Sequence, residues 1–182
     1  LSLSKQYSGG NYANCDVDST ADGNCQDWGN PISEMYAEAL RYLAGAKAPT
    51  AAFNANDASI NAALSPVTWD DPYEYKAAAC VRCSIVLIST GLNSFDTNVT
   101  NGVASVVSGI NGLTMDTLND HLDTVIYRNE NISGEYFVGN SGTISDDNRC
   151  TPKSIAKLSA VSGLCPEIPQ DEGGYDISAL SY

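Results

Sequence analysis

The most regular hydrophobic pattern of the chain lies in the segment WGNPISEMYAEALRYLAGA, residues 28–46. Its apolar residues recur every three or four positions, which predicts a helix over Pro31–Leu43 with one buried face. Asn30 is of a type that often caps a helix, proline suits the first helical position, and Gly45 is expected to end the helix. The predicted buried face consists of Ile32, Met35, Tyr36, Ala39, Leu40 and Leu43.

A second pattern is the uninterrupted run SIVLIS, Ser84–Ser89. A short run rich in β-branched apolar residues, without alternating polar ones, is typical of a central strand in a parallel sheet that is covered on both faces. We therefore predict that this segment is a strand with neighbours on both sides, and that Gly91 ends it.

Shorter patterns predict the remaining elements. Thr114 is expected to cap a second helix, GEYFVG is a candidate strand, and Thr151–Gly163 is predicted to be a third helix. A short helix is expected around Ala58–Leu64, and the tail GGYDISALSY is expected to open a last one. Helices that alternate with strands indicate the α/β class. The apolar stripe of the second helix consists of Met115, Leu118, Leu122, Val125 and Ile126.

The composition is that of a globular protein, with 43% hydrophobic and 17% charged residues among 182. The net charge of −13 makes double-stranded nucleic acid a poor partner, because such binding needs Lys and Arg to displace counterions. No stretch approaches the ~20 apolar residues of a transmembrane segment. The first residues, LSLS, look like the end of a strand rather than a signal peptide, so we expect a processed or partial chain.

The chain has an even number of cysteines, which together with the polar composition indicates an oxidising compartment. We expect all of them to be in disulfides, although the sequence does not choose among the pairings. A redox role for Cys80 and Cys83 would require the pair to follow a strand and open a helix, whereas it precedes the predicted strand. The six cysteines are Cys15, Cys25, Cys80, Cys83, Cys150 and Cys165.

Cys150 and Cys165 pose a geometric conflict, because they flank the predicted third helix. A helix of three turns is about 15 Å long. A disulfide tolerates Cα atoms at most about 7 Å apart. Either that helix is short or bent, or the two cysteines bond elsewhere.

Residues 11–25 are predicted to form an insertion, an acidic loop flanked by the disulfide cysteines Cys15 and Cys25. Its three aspartates have a spacing that calcium loops use. The loop lacks the central glycine and the final glutamate of an EF-hand, so a hydrated disulfide loop is the main interpretation and calcium binding is the alternative. No other cofactor is indicated. The three aspartates are Asp16, Asp18 and Asp22.

Catalytic chemistry is only weakly indicated. The single histidine, His121, lies beside an apolar stripe and is interpreted as a structural residue rather than a general base. The adjacent acids Asp70 and Asp71, and Asp146 and Asp147, resemble the paired carboxylates of glycosidases in type only. Adjacent acids in loops are usually hydrated.

Four blocks of the chain resemble the PilC/PilY proteins associated with type IV pilus tips. They are QDWGNPISEMYAEALRYLAG, WDDPY, IVLISTGLNSFD and GLCPEIPQDEGGY, and they occur in the family's order. The matching region of that family is similar to a von Willebrand factor type A domain. The resemblance therefore implies an α/β fold, a von Willebrand factor type A-like parallel sheet with flanking helices. We expect it to form one domain over residues 1–182, incomplete in this chain and stapled by disulfides.

The resemblance also implies a ligand-binding edge at the carboxyl ends of the strands, where open α/β sheets bind ligands. The family's metal-site aspartate aligns with Thr90, and its D-x-S-x-S motif is missing from this chain. A single carboxylate, that of Asp96, would hold calcium or magnesium weakly, so we expect an edge without metal. The implied edge residues are Asn30, Thr90, Asn93, Ser94 and Asp96.

The function implied by the resemblance is that of a non-enzymatic module at a bacterial pilus tip or cell surface. This secreted, fimbrial protein would act in adhesion, in type IV pilus assembly, or in both. Its partners would be minor pilins of the pilus tip or a host or surface receptor, and its location would be extracellular. The alternative is a secreted enzyme, either a hydrolase that uses the paired acids or a thiol–disulfide oxidoreductase that uses Cys80 and Cys83.

Overall fold

The computed structural model describes residues 30–51, 68–73, 83–89, 91–93, 96, 103–143, 146–166 and 173–182. Within them the helices are α1 (Ile32–Leu43), α2 (Val103–Val107), α3 (Met115–Asp120), α4 (Tyr127–Asn129) and α5 (Asp176–Ser181). A π-helical segment, His121–Ile126, joins α3 to α4, and a 3-10 turn spans Leu158–Ala160. The strands are β1 (Glu135–Asn140), β2 (Thr151–Ser154) and β3 (Ser162–Leu164). None of the described helices combines the length and the apolar character that a membrane crossing requires.

The sheet of the described residues is antiparallel, with strand order β2-β1-β3. The α/β character is therefore confirmed, whereas the parallel sheet of a von Willebrand factor type A fold is not supported. The reason lies in the connections. Only residues 141–150 separate β1 from its neighbour β2, fewer than the crossover of a dozen or more residues that a parallel pair would need.

The run SIVLIS does not form the predicted central strand. Residues 84–89 have no regular secondary structure, and the side chains of Val86 and Ile88 are 79% and 90% exposed. A strand exists only where a neighbour takes up its backbone hydrogen bonds. Within the described part of the chain, no strand of the sheet pairs with this segment.

The predicted first helix is confirmed as α1, and Gly45 follows it with φ of +86°. Its buried face differs from the predicted one, since Ser33 and Ala37 are buried whereas Met35 is 62% exposed. The physical reason is that α1 packs against α2 and α5, where small side chains allow close approach. Ile32 is buried as predicted, whereas the other large apolar side chains of the helix remain nearer the surface.

The second helix begins as predicted. The Thr114 side chain accepts a hydrogen bond from the backbone N–H of Thr117, and the Thr117 side chain accepts one from the backbone N–H of Thr114. The helix continues through the π-helical segment, so that Leu118, Leu122 and Ile126, four residues apart, are all buried. The main core cluster consists of Val103, Val107, Leu118, Leu122, Ile126, Val138, Ile155, Leu158, Val161 and Ala179.

β2, the 3-10 turn and β3 stand where the sequence predicts the third helix. Ile155, Leu158 and Val161 are all buried, and their spacing of three residues imitates the stripe of a helix. The strands remove the conflict over the cysteines. Val138 of β1 pairs with both Thr151 and Leu164, so the start of β2 and the end of β3 lie at the same level of the sheet. The adjacent Cys150 and Cys165 come within 5.8 Å, Cα to Cα, and form a disulfide. The strand GEYFVG and the last helix are confirmed as β1 and α5.

Loss of the Cys150–Cys165 disulfide is expected to destabilise the fold. The bond joins residues 15 apart in the sequence. Closing such a loop stabilises by about 3 kcal/mol, through the lower entropy of the unfolded chain. Denaturant unfolding of the Cys150→Ser/Cys165→Ser variant should show this loss. The matched control is Cys83→Ser, since Cys83 is an exposed free thiol. Equal stability of the two variants would contradict the prediction.

Candidate functional site

The carboxylate of Asp96 lies at the start of α1 and is fully buried. Its Oδ1 accepts hydrogen bonds from the backbone N–H groups of Ser33 at 2.9 Å and Glu34 at 3.3 Å. Its Oδ2 accepts from the Ser33 hydroxyl and from the side-chain amide of Asn93, the latter at 2.7 Å. Helix N-termini leave unpaired N–H groups and favour negative charge. Asp96 is therefore the cap of a helix that lies 63 residues earlier in the chain.

Asn30 does not cap α1, contrary to the prediction. Pro31 occupies the cap position without a side-chain hydrogen bond to the helix. The Asn30 amide instead donates to the Ser89 hydroxyl at 2.8 Å and to the Leu92 carbonyl at 2.9 Å. This is possible because Asp96 already serves the first N–H groups of the helix, and it ties the chain after residue 88 to the beginning of α1.

Asn93 connects this region to the C-terminal part of the chain. Its side-chain amide donates to the Gly174 carbonyl at 2.6 Å as well as to Asp96. A Cβ atom on Gly173 would clash with the Asn93 carbonyl oxygen, and the Gly173 carbonyl accepts from the Gly163 N–H at 2.9 Å. We call Ser33, Asn93, Asp96 and the glycine pair 173–174 the capping cluster.

The structure thus brings together three of the five predicted edge residues, Asn30, Asn93 and Asp96, by the contacts above. Thr90 and Ser94 lie outside the described residues. Sequence reasoning missed Ser33 and the glycine pair, although the doubled glycine of EGGY was a visible signal for a close backbone approach.

This arrangement does not fit a cation. Both oxygens of Asp96 already accept from N–H or O–H donors, and the adjacent helix N-terminus is positive. Among the described residues, no group of three His, Cys, Asp or Glu side chains is placed to hold a metal ion. The candidate calcium ligands Asp16, Asp18 and Asp22 lie outside the described residues, as does the whole 11–25 loop, and they remain predictions.

The adjacent acids Asp146 and Asp147 both contact other groups of the protein. Asp146 accepts from the backbone N–H of Thr143 at 3.0 Å and from its hydroxyl at 2.6 Å. Burial works to raise the pKa of Asp146, but the hydrogen bonds from Thr143 and Ser141 outweigh it and lower the pKa to about 2. Asp147 forms an ion pair with Lys153 at 2.9 Å. These contacts organise the loop between β1 and β2 rather than a catalytic pair.

The remaining candidate groups are Cys83 and His121. Cys83 is an exposed free thiol, which corrects the expectation that all six cysteines are oxidised. No helix begins within residues 83–89, so the described chain offers this thiol no helix N-terminus that would stabilise a thiolate. The His121 ring packs 4.8 Å from the Tyr182 ring, and its buried Nε2 has no hydrogen-bond partner among the described residues. Cys15, Cys25 and Cys80 lie outside the described residues.

Asp176, the first residue of α5, is a second buried carboxyl near the capping cluster. It is 9% exposed. Burial, together with the negative charge of Asp96, raises the pKa of Asp176 to about 6. Asp176 lines a cavity between α2, α3, α5 and the 3-10 turn.

Comparison with known proteins supplies the biological setting. The family model described as PilY1 homolog, second domain, matches residues 2–182. The type IV pilus biogenesis factor PilY1 homolog of Xylella fastidiosa strain Temecula1 is 31% identical over 183 residues, which cover 88% of this chain. This chain spans 12% of the length of that relative. No solved structure gives a significant match.

Replacement of Asp96 is expected to destabilise the protein. In Asp96→Ala, the buried donors of Ser33 and Asn93 lose their acceptor. The expected decrease in the free energy of unfolding is about 2–3 kcal/mol. The matched control is Asp120→Ala, because Asp120 is exposed on α3.

Calcium titrations of wild type and Asp96→Ala test whether the same carboxylate also binds a metal. Micromolar calcium binding that disappears with Asp96 would contradict a purely capping role.

The raised pKa of Asp176 predicts a pH dependence of stability. Its ordinary pKa is 3.8 and its folded pKa is about 6, so the folded state holds the proton more tightly than the unfolded state. Stability should therefore be full below about pH 4 and fall as the pH rises through about 6, by about 2–3 kcal/mol. Asp176→Asn should abolish this fall and be the more stable form at neutral pH. Unfolding free energies measured across the pH range for both proteins test this. A pH-independent difference between them would disprove it.

Proposed function

The chain belongs to the PilY1 homolog family, through that family's second domain, and on this premise we propose that it is a non-enzymatic module of type IV pilus assembly. It acts by protein contacts at the cell surface, at the pilus tip. The observation that carries the proposal is the exposed apolar segment of residues 83–89, which we call the apolar segment.

The apolar segment has the properties of a docking strand. Val86, Leu87 and Ile88 are all exposed large hydrophobic side chains. Within the described part of the chain, no hydrogen bond engages the backbone of residues 84–88. A segment of β-branched residues with an open backbone suits the addition of an extended strand from a partner. Such a surface left uncovered favours aggregation, so a partner that covers it stabilises the protein.

Contacts of Asn30, next to the capping cluster, support this role by holding the base of the apolar segment. Asn30 binds the Ser89 hydroxyl and the backbone carbonyls of Gly91 and Leu92, and Asp96 binds the start of α1. The segment is therefore presented from a fixed point on the longest helix of the described chain. Pre-organisation of this kind lowers the entropy that binding removes.

The proposed partners are components of the pilus machinery, minor pilins of the pilus tip among them. The net charge of −13 favours a partner with a basic rim around its apolar contact, since opposite charges accelerate encounter. Adhesion to a host or surface receptor is the second activity that the proposal includes. A secreted enzyme is not favoured, because Asp146 and Asp147 are engaged in loop contacts and the described residues pair His121 with no nucleophile.

The test introduces a charge into the apolar segment. We expect Ile88→Asp to leave stability unchanged, because this side chain is exposed, and to reduce the number of surface pili when the variant replaces the natural protein in its bacterium. Pili are counted by electron microscopy, and attachment per pilus is measured separately, so that assembly and adhesion are distinguished.

The matched control is Phe137→Asp, which places the same charge at another exposed hydrophobic residue, on β1. It should leave pilus number and attachment unchanged. If Ile88→Asp cells carry normal pili and attach normally while the variant is produced at the normal level, the proposed role of the apolar segment is wrong.

A further inference from the structure

The cavity beside Asp176 has the size and lining of a small ligand site. Its volume is about 320 Å³. That lies at the lower end of the ~300–1,000 Å³ typical of small-molecule sites, so it suits a short chain with one polar group. The lining combines apolar side chains with the carboxyls of Asp116 and Asp176 and the amide of Asn119. The apolar lining residues are Val103, Ala104, Met115, Leu158 and Val161.

The buried carboxyl of Asp176 lines this cavity without a hydrogen-bond partner among the described residues. It is more than nine-tenths buried, and no described residue donates a hydrogen bond to its carboxyl or forms an ion pair with it. Burial of a carboxylate without a partner is unfavourable. Proteins retain such groups mainly at functional sites, where a ligand supplies what the fold does not.

The charges around Asp176 favour a cation. Asp96 faces it from the loop before α2, and Asp116 lines the same cavity from α3. Tyr175 is its neighbour in the chain, and burial raises the pKa of that phenol, so it remains uncharged. Ser159, on the 3-10 turn, already donates to a carboxylate of the π-helical segment. No Lys or Arg is among the described residues that line the cavity.

We propose that this cavity binds an alkylammonium group, with the Asp176 carboxylate accepting hydrogen bonds from the ammonium and the apolar lining contacting the carbon chain. Ammonium–carboxylate hydrogen bonds are among the stronger ones in proteins, and the stem of a lysine side chain is apolar. The group has two sources, a small free amine or the lysine side chain of a partner. The site is independent of the proposed role of the apolar segment, none of whose residues lines the cavity.

The first experiment measures the binding of n-butylamine to the chain by calorimetry and NMR. We expect Asp176→Asn to weaken binding about tenfold or more, since the charge is lost and the shape is kept. 1-Butanol, which has the same carbon chain and no charge, should bind with equal weakness to both proteins. Binding of butylamine should also weaken below about pH 6, where Asp176 takes up a proton while the amine stays charged.

The matched control is Asp120→Asn, which should keep wild-type affinity. Asp120 is exposed on α3, one helical turn after Asp116, and does not line the cavity. If Asp176→Asn does not fold, calorimetry of the wild type near about pH 6 in two buffers of different ionisation enthalpy still decides, because binding should release a proton. Equal affinity of wild type and Asp176→Asn, no proton release, or no binding at all would overturn the proposal.

The second experiment distinguishes the sources by comparing butylamine with N-acetyl-lysine methylamide. If both bind with dependence on Asp176, the cavity accepts a lysine side chain attached to a backbone, and a partner protein is its source. If only butylamine binds, the cavity excludes the peptide backbone and the source is a small free amine. Failure of both probes overturns the site itself.

Discussion

The carboxylate of Asp96 at the start of α1 is the interaction on which the described structure depends most. A helix N-terminus presents unpaired N–H groups and partial positive charge, and a buried end must find acceptors. Local sequence does not supply them here, because Pro31 cannot cap through its side chain. A residue 63 positions later supplies them instead, and with Asn93 it ties the loop before α2 both to the first helix and to Gly174.

This use of the carboxylate explains why the resemblance to a metal-binding fold family does not carry over as chemistry. The position implied as part of a ligand edge is occupied by an anion whose partners are donors of the protein itself. Hydrogen bonds of Asn30 and Asp96 tie this region to the start of α1, which suits the proposed presentation of the apolar segment to a pilus protein. The recognition that we propose there rests on apolar contact and backbone pairing.

The two buried carboxyl groups of Asp96 and Asp176 differ in their hydrogen bonding. Asp96 accepts hydrogen bonds at both oxygens, whereas the carboxyl of Asp176 has no hydrogen-bond partner among the described residues. The hydrogen bonds that Asp96 accepts at the start of α1 offset the cost of burying its charge. Asp176 is expected to weaken the fold at neutral pH, and it lies in the wall of the cavity for which we propose a cationic ligand. The negative charge of Asp96 strengthens both effects, since it disfavours a second anion and favours a cation.

The sequence by itself determined the elements whose signals are local. The periodicity before Leu43, the capping residue Thr114 and the short apolar run in GEYFVG each act over a few residues, and α1, α3 and β1 follow them. The family resemblance was likewise readable from the order of short blocks. Only the tertiary structure decided which face of α1 is buried, how Cys150 meets Cys165, and that Asp96 caps α1. These outcomes depend on which distant segments come together, and a stripe with a spacing of three residues is the same in a helix as in a strand followed by a 3-10 turn.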